Sequence, residues 1–354
     1  MRVLRVGIIG QGRSGRDIHG EYLKTVPDRF KIVLVADTLK DRCRLAEKEY
    51  GCQSTTDWRD MLKRRDLDLI VNTAPSHLHV PMTQHILRSG HHVLCDKPLA
   101  QRASQVDRLI ATAKKHRRML AIFQQSRFSP VYEQVGKVIA SGVLGRIVMI
   151  KANMSGFARR WDWQTLREYG GGSLSNTGPH VLDQVLMLFD PKLSMPEVWC
   201  RFDWVNTFGD AEDHVKLLLS GRGKPSIDVE VSCCSAYPLY NYQVYGCCGG
   251  LTATGTEVKW TYFDPKKAPR RRLIRTPLPG RAYCGEKLPW QEERWEQPKD
   301  FNIWPYMCGR VYGNLYDAIT TGAPLAITPQ QVRRQIAVIE ECQRQNRNAG
   351  PRKR

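Results

Sequence analysis

No uninterrupted apolar run in the 354-residue chain approaches the roughly 18 residues a membrane-spanning helix needs, so no membrane partner is expected. No Cys-x-x-Cys pair exists among the eleven cysteines, and no metal site is expected. The apolar opening stretch 3–9 is not followed by a small-residue cleavage site, which leads to the expectation of a cytoplasmic protein. Reduced thiols go with that compartment, including the adjacent pairs Cys233-Cys234 and Cys247-Cys248. There is no internal repeat, and aromatic residues do not alternate with basic ones.

Basic charge, in contrast, is abundant. The formal net charge is +19, which invites a nucleic-acid partner. The distribution argues against one: short runs at 63–65, 114–118, 270–272 and 352–354 are scattered over expected helix ends and loops. A solvated basic surface, with some attraction for anionic small molecules, is the expected reading.

Short apolar runs at 3–9, 31–36, 67–72, 92–95 and 119–123 alternate with segments of helical spacing at 14–25, 40–50, 58–63, 80–89 and 104–116. Strand and helix in regular alternation mean parallel pairing with right-handed crossovers, so residues 1–124 read as a doubly wound α/β Rossmann domain. From 125 onward the rhythm changes. A helix is expected near 131–140, then strands at 146–153, 197–206, 214–220, 226–235, 242–246 and 258–263. Residues 125–354 therefore read as an α+β domain with a large, mainly antiparallel sheet, for substrate binding and oligomerisation. The Pro-, Arg- and Trp-rich stretch 264–305 reads as a long irregular excursion.

The first chemical motif is Gly10-Gln11-Gly12-Arg13-Ser14-Gly15, a G-x-G-x-x-G directly after a strand and opening a helix. The first glycine permits the turn, the second lets backbone approach a pyrophosphate, and the third lets helix pack on strand, with helix N–H groups as donors. Asp37 ends the next strand, where its carboxylate would accept from the ribose hydroxyls. NAD is the expected cofactor, while nearby Lys40 and Arg42 leave NADP open. Later strands end in Asn72-Thr73-Ala74-Pro75 and Cys95-Asp96-Lys97-Pro98, at the edge where open α/β sheets bind ligands. Partial burial there would lower the pKa of Lys97.

The glycine turn, the segment Thr73-Ala74-Pro75 through His79, and Asp96-Lys97-Pro98 together resemble the Gfo/Idh/MocA oxidoreductases, whose usual tripeptide is Glu-Lys-Pro. The resemblance continues through Gln125-Ser126-Arg127-Phe128-Ser129-Pro130 and Thr321-Gly322-Ala323-Pro324, covering nearly the whole chain. It implies that Thr73, Ala74, Pro75, His79, Asp96, Lys97 and Gln125 join the glycine turn in holding the cofactor.

Residues 170–183, Gly-Gly-Gly-Ser-Leu-Ser-Asn-Thr-Gly-Pro-His-Val-Leu-Asp, are the most informative stretch. A helix here would set Asn176, His180 and Asp183 on one wall by their spacing. The resemblance makes His180 and Lys97 the catalytic pair and implies oxidation of a secondary alcohol on a sugar or cyclitol. In that reaction His180 is the general base and Lys97 the hydrogen-bond donor to the reacting oxygen. Two departures stand out: Asp96 shortens the family's Glu, and Asn176 replaces the acid that usually stands four residues before the histidine. Asn176 is kept as a third catalytic candidate, positioning substrate or His180. Arg160 and Trp161, just before the glycines, are expected to contact substrate with Asp183, Arg by gripping an anionic group and Trp by stacking on a sugar face. A homo-oligomer, dimer or tetramer, is expected. Two other readings stay open: an enzyme that retains NAD and uses transient oxidation for elimination or glycoside cleavage, and a non-catalytic sensor of NAD or sugar.

Overall fold

The computed structural model describes residues 2–237, 240–278 and 283–350; the tail run 352–354 lies outside them. Six short strands, β1 (Leu4–Ile9), β2 (Phe30–Ala36), β3 (Gln53–Thr55), β4 (Leu69–Asn72), β5 (His92–Asp96) and β6 (Leu120–Phe123), form an all-parallel sheet in the order β3-β2-β1-β4-β5-β6. Every residue of β4 and β6 is buried, as expected of strands covered by helices on both faces. The strand order reverses between β1 and β4, which opens a crevice at their carboxyl ends. Thr73 bridges that crevice, its N–H donating to Ile9 and its hydroxyl to the Ile9 and Gly10 carbonyls.

The second sheet has eight strands: β7 (Ile147–Asn153), β8 (Glu197–Asp203), β9 (His214–Ser220), β10 (Ser226–Ser232), β11 (Tyr242–Gly246), β12 (Gly249–Ala253), β13 (Glu257–Tyr262) and β14 (Gln291–Glu296). Their order is β14-β13-β12-β11-β7-β10-β9-β8, antiparallel except for the β7–β10 pair. Val215, Leu217 and Leu219 of β9 alternate inward, and on the same sheet β7 and β10 pack on the helix Gly178–Phe189 and β8 on the helix Pro329–Gln345. On the opposite face Trp199, Leu218 and Tyr245 are exposed.

Three strands escape the sequence pattern. β3 is a three-residue polar segment, β12 opens on two glycines, and β14 (Gln-Glu-Glu-Arg-Trp-Glu) is an edge strand inside the stretch expected to be irregular. β3 and β14 lack the apolar alternation that marks a half-buried strand, and β12 has it only over Leu251 and Ala253, too short a run to stand out.

The helix after the triple glycine is not continuous. A short turn, Ser173–Asn176, breaks at Thr177, and the helix restarts at Gly178 with Pro179 in its first turn. Asn176 and His180 stay on the cleft side of this break. Asp183 does not: it is 2% exposed, and both of its oxygens receive the Arg127 guanidinium at 2.5 Å. Asp183, expected with Arg160 and Trp161 to contact substrate, thus has its carboxylate occupied inside the protein by the bidentate pair with Arg127. The C-terminal helix Ile303–Thr321 returns to the first sheet, where Tyr312 is fully buried among His19, Tyr22, Phe30 and Phe123.

Asp183→Ala leaves the Arg127 charge buried without its partner, and such losses cost about 3–5 kcal/mol. Urea denaturation of the variant is expected to show that loss; a change below about 1 kcal/mol would mean that the pair is not structural.

Candidate active site

The glycine turn is built for close approach. Gly10 has φ of +91°, and a Cβ on Gly15 would lie 1.9 Å from the Gly10 carbonyl oxygen, so the helix beginning at Arg13 touches the turn directly. A Cβ on Gly12 would meet nothing nearer than the Arg42 guanidinium at 3.9 Å, which leaves that backbone open on the crevice side. Asp37 is buried at the end of β2, accepting from the Gln11 N–H at 2.7 Å and the Leu39 N–H at 2.9 Å, with Arg42 at 3.4 Å. Gln125 is 7% exposed, and its side-chain oxygen has no hydrogen-bond partner among the described residues. A bare glycine backbone, an acid at the end of β2 and an orphaned buried amide oxygen fit a dinucleotide.

Asp96 and His79 act behind this surface. The Asp96 carboxylate accepts from the Ser14 hydroxyl and from His19 Nε2 at 3.0 Å, and His19 Nδ1 faces the Tyr312 hydroxyl at 2.7 Å. Burial raises the Asp96 pKa, but His19, Ser14 and His79 outweigh it and hold the carboxyl below its ordinary value. His79 is 2% exposed, with Nδ1 2.7 Å from the Pro98 carbonyl and Nε2 2.7 Å from the Ala74 carbonyl. Carbonyl oxygens only accept, so both nitrogens carry protons and the ring is a buried cation. Burial opposes that charge, yet Cys95, the Pro98 carbonyl and Asp96 raise its pKa to about 9. His79 thereby ties the segment after β4 to the segment after Lys97. Expected from the sequence to hold the cofactor, His79 and Asp96 have their side chains engaged by protein groups.

Lys97 extends from β5 to the start of the broken helix. Its Nζ donates to the Asn176 carbonyl at 2.8 Å and to Asn176 Oδ1 at 3.3 Å. Burial lowers its pKa, and Arg13 and Arg160 act in the same direction against Asp96. His180 Nδ1 lies 3.1 Å from the Ser126 hydroxyl, and no hydrogen bond to Nε2 occurs among the described residues. Burial first, and then the Lys97 charge, bring the His180 pKa down to about 3, so the ring is neutral near pH 7.

A narrow cleft of about 60 Å³ adjoins Asn176, lined also by Arg160, Gln164, Thr177, Glu212 and Cys233. Arg160 donates to Asp162 and Gln164, and Gln164 Nε2 donates to Asn176 Oδ1 at 3.4 Å, so the guanidinium is linked to Lys97 through two amides. Trp161 lies outside this lining, 80% exposed. Ser126, Gln164 and Glu212 are missing from the sequence expectations. Ser126 lay in a recognised segment without a role, while Gln164 and Glu212 sit in irregular chain that carries no periodic signal.

The geometry agrees with two family matches. Residues 4–124 match the Gfo/Idh/MocA oxidoreductase family's NAD-binding Rossmann fold and residues 132–252 its C-terminal domain. The chain belongs to the Gfo/Idh/MocA family. Among its relatives within the family, the D-glucoside 3-dehydrogenase of Escherichia coli is 32% identical over 192 residues, 52% of this chain and 53% of that protein. The inositol 2-dehydrogenase/D-chiro-inositol 3-dehydrogenase of Lactiplantibacillus plantarum is 30% identical over 185 residues, 51% of each. The chain thus spans about half the length of the curated relatives it matches. In fold, it superposes on a NAD-binding protein from Listeria innocua with a TM-score of 0.79 at 17% identity, covering 98% of this chain and 99% of that one.

The His79 charge has a stability signature. Its folded pKa of about 9 lies above the ordinary imidazole value of 6.5, so its contribution is complete below pH 6.5 and is lost as pH rises through 9. Wild-type unfolding free energy is expected to fall by up to about 3 kcal/mol over that window relative to His79→Gln. Parallel urea curves for the two proteins across the window would contradict a charged ring.

Proposed function

We propose that the protein is a NAD-dependent dehydrogenase that oxidises, reversibly, a secondary alcohol on a sugar or cyclitol, including anionic derivatives. The observation that carries this reading is the pairing of Lys97, fixed by Asn176, with a neutral His180 whose Nδ1 is held by Ser126 and whose Nε2 makes no hydrogen bond among the described residues. The glucoside and inositol dehydrogenases among the relatives support a polyhydroxylated substrate. The cofactor, when bound, supplies the hydride acceptor at the nicotinamide ring.

The chain's own groups account for the rest. His180 Nε2 takes the hydroxyl proton as the carbon loses its hydride. The Lys97 ammonium donates a hydrogen bond to the oxygen and stabilises the negative charge developing there. Asn176 fixes the Lys97 amine through two acceptors, and Arg160 binds any carboxylate or phosphate on the substrate. Asp37 favours NAD, since a 2′-phosphate would meet its carboxylate, although Arg42 softens that discrimination. The residues that hold the dinucleotide are the backbone of Gly10 to Gly15, with Arg13 and Ser14 in the first turn, Asp37 at the ribose, Thr73 to Pro75, and Gln125. The exposed Trp199, Leu218 and Tyr245 face of the second sheet suits a second copy of the chain.

Lys97→Met and His180→Ala are each expected to lower kcat about 100- to 10,000-fold on a polyol that the wild type oxidises, read at the reduced-nicotinamide absorbance band. Because His180 stays neutral down to about pH 3, the acid limb of wild-type kcat should lie well below the ordinary imidazole value of 6.5. Near-normal turnover in both variants would remove the pair from the chemistry.

A further inference from the structure

The carboxylate missing at position 176 leaves the cleft unbalanced. Arg13 and Arg160 both act on Lys97 as neighbouring cations, against Asp96 on the other side, and of the three only Arg160 makes an ion pair among the described residues, with Asp162. Asp213, which also lines the cleft, has both oxygens taken by the Val205 and Asn206 N–H groups. The remaining acid in the lining is Glu212. It is 7% exposed and has no ion-pair partner among the described residues. Its Oε1 accepts the Leu174 N–H at 3.0 Å, and its carboxylate packs where a Cβ on Gly172 would stand, 2.4 Å away. Gly172 is the N-cap of the short turn that ends at Asn176, and the Asn176 N–H donates to the Gly172 carbonyl. One residue therefore joins the cleft and the turn that holds Lys97.

We propose that Glu212 is the substrate-contacting acid of the cleft, taking over from a different segment of the chain the negative charge that Asn176 does not provide. Its ionised carboxylate accepts a hydrogen bond from a substrate hydroxyl, while Oε1 continues to hold the Leu174 N–H. This inference rests on the dehydrogenase reading for its substrate class, and on this chain's own geometry for the acid.

The titratable and charged groups acting with Glu212 are Asp213 beside it, Arg167 from the turn Arg167–Tyr169 and Cys342 from the helix Pro329–Gln345, while Cys233 and Arg160 share the lining of the cleft. Burial raises the Glu212 pKa most, Asp213 adds to that, and the Leu174 N–H and Arg167 oppose it, leaving a value of about 7. Substrate affinity therefore rises as pH passes upward through 7, while kcat, governed by the neutral His180, changes little over the same range.

Two measurements on the full chain test this. In infrared difference titration, which needs no turnover, wild type is expected to lose a protonated-carboxyl C=O band as pH rises through 7, and Glu212→Gln is expected to lack that change. An identical band change in both proteins overturns the assignment, whatever the enzyme's substrate. In kinetics with NAD and either myo-inositol or a methyl glucoside, KM of Glu212→Gln is expected to rise about 10-fold at pH 8 and to become flat between pH 6 and 8. Adding Asn176→Asp to Glu212→Gln is expected to recover most of that loss by restoring a carboxylate to the cleft. A Glu212→Gln variant that keeps the wild-type KM profile, or one whose defect Asn176→Asp does not reduce, overturns the proposal. Failure of wild type to oxidise any polyol would count against the dehydrogenase reading and leave the infrared result to decide whether Glu212 is the cleft's titrating acid.

Discussion

The Asp96 carboxylate is the constraint on which the rest of the site depends. It receives Ser14 and His19 from the glycine-turn helix, and through His19 it reaches Tyr312 on the C-terminal helix. It also lies beside the His79 cation, which clamps the Ala74 and Pro98 carbonyls. The next residue is Lys97. One carboxylate between two histidines, its side chain 14% exposed, thus joins the glycine turn, the crevice wall after β4, the lysine segment and a helix from the far end of the chain. A carboxylate largely withdrawn from water is costly unless it is paired and hydrogen-bonded, and here every partner belongs to a segment the site needs in place. The shorter Asp at this position, in place of the family's Glu, still reaches both Ser14 and His19.

A second layer of positioning runs through backbone. Lys97 is held mainly by the Asn176 carbonyl, which is available because the helix breaks at Thr177 and restarts at Gly178. A continuous helix would have committed that carbonyl to the residue four positions on. The break therefore supplies an acceptor for the lysine and at the same time presents His180 toward Ser126. Asn176 then contributes twice, by backbone and by amide, without bringing a charge.

Much of the fold was legible in the sequence because its signal is periodic. The alternation of apolar strands with helices up to residue 124 dictated the parallel sheet, and the glycine turn followed by Asp37 dictated where a dinucleotide would lie. Lys97 and His180 were legible for a different reason, as residues of recognisable segments at strand and helix ends. The parts that were not legible depend on tertiary contact. Asp183 has helical spacing relative to His180, but the spacing carries no information about Arg127, 56 positions away, which claims its carboxylate. Glu212 sits in a connection before β9, and only the folded chain brings it beside Asn176. β14 was hidden because an exposed edge strand needs no apolar face.

In the proposed reaction hydride leaves a carbinol carbon for the cofactor while His180 and Lys97 manage the hydroxyl. The most direct measurement is mass spectrometry of the dinucleotide after the protein has acted on NAD with polyols deuterated at each carbinol carbon. Reduced dinucleotide carrying one deuterium from a single position of the substrate is expected. Bound NAD that stays oxidised and undeuterated with every polyol tested would contradict it.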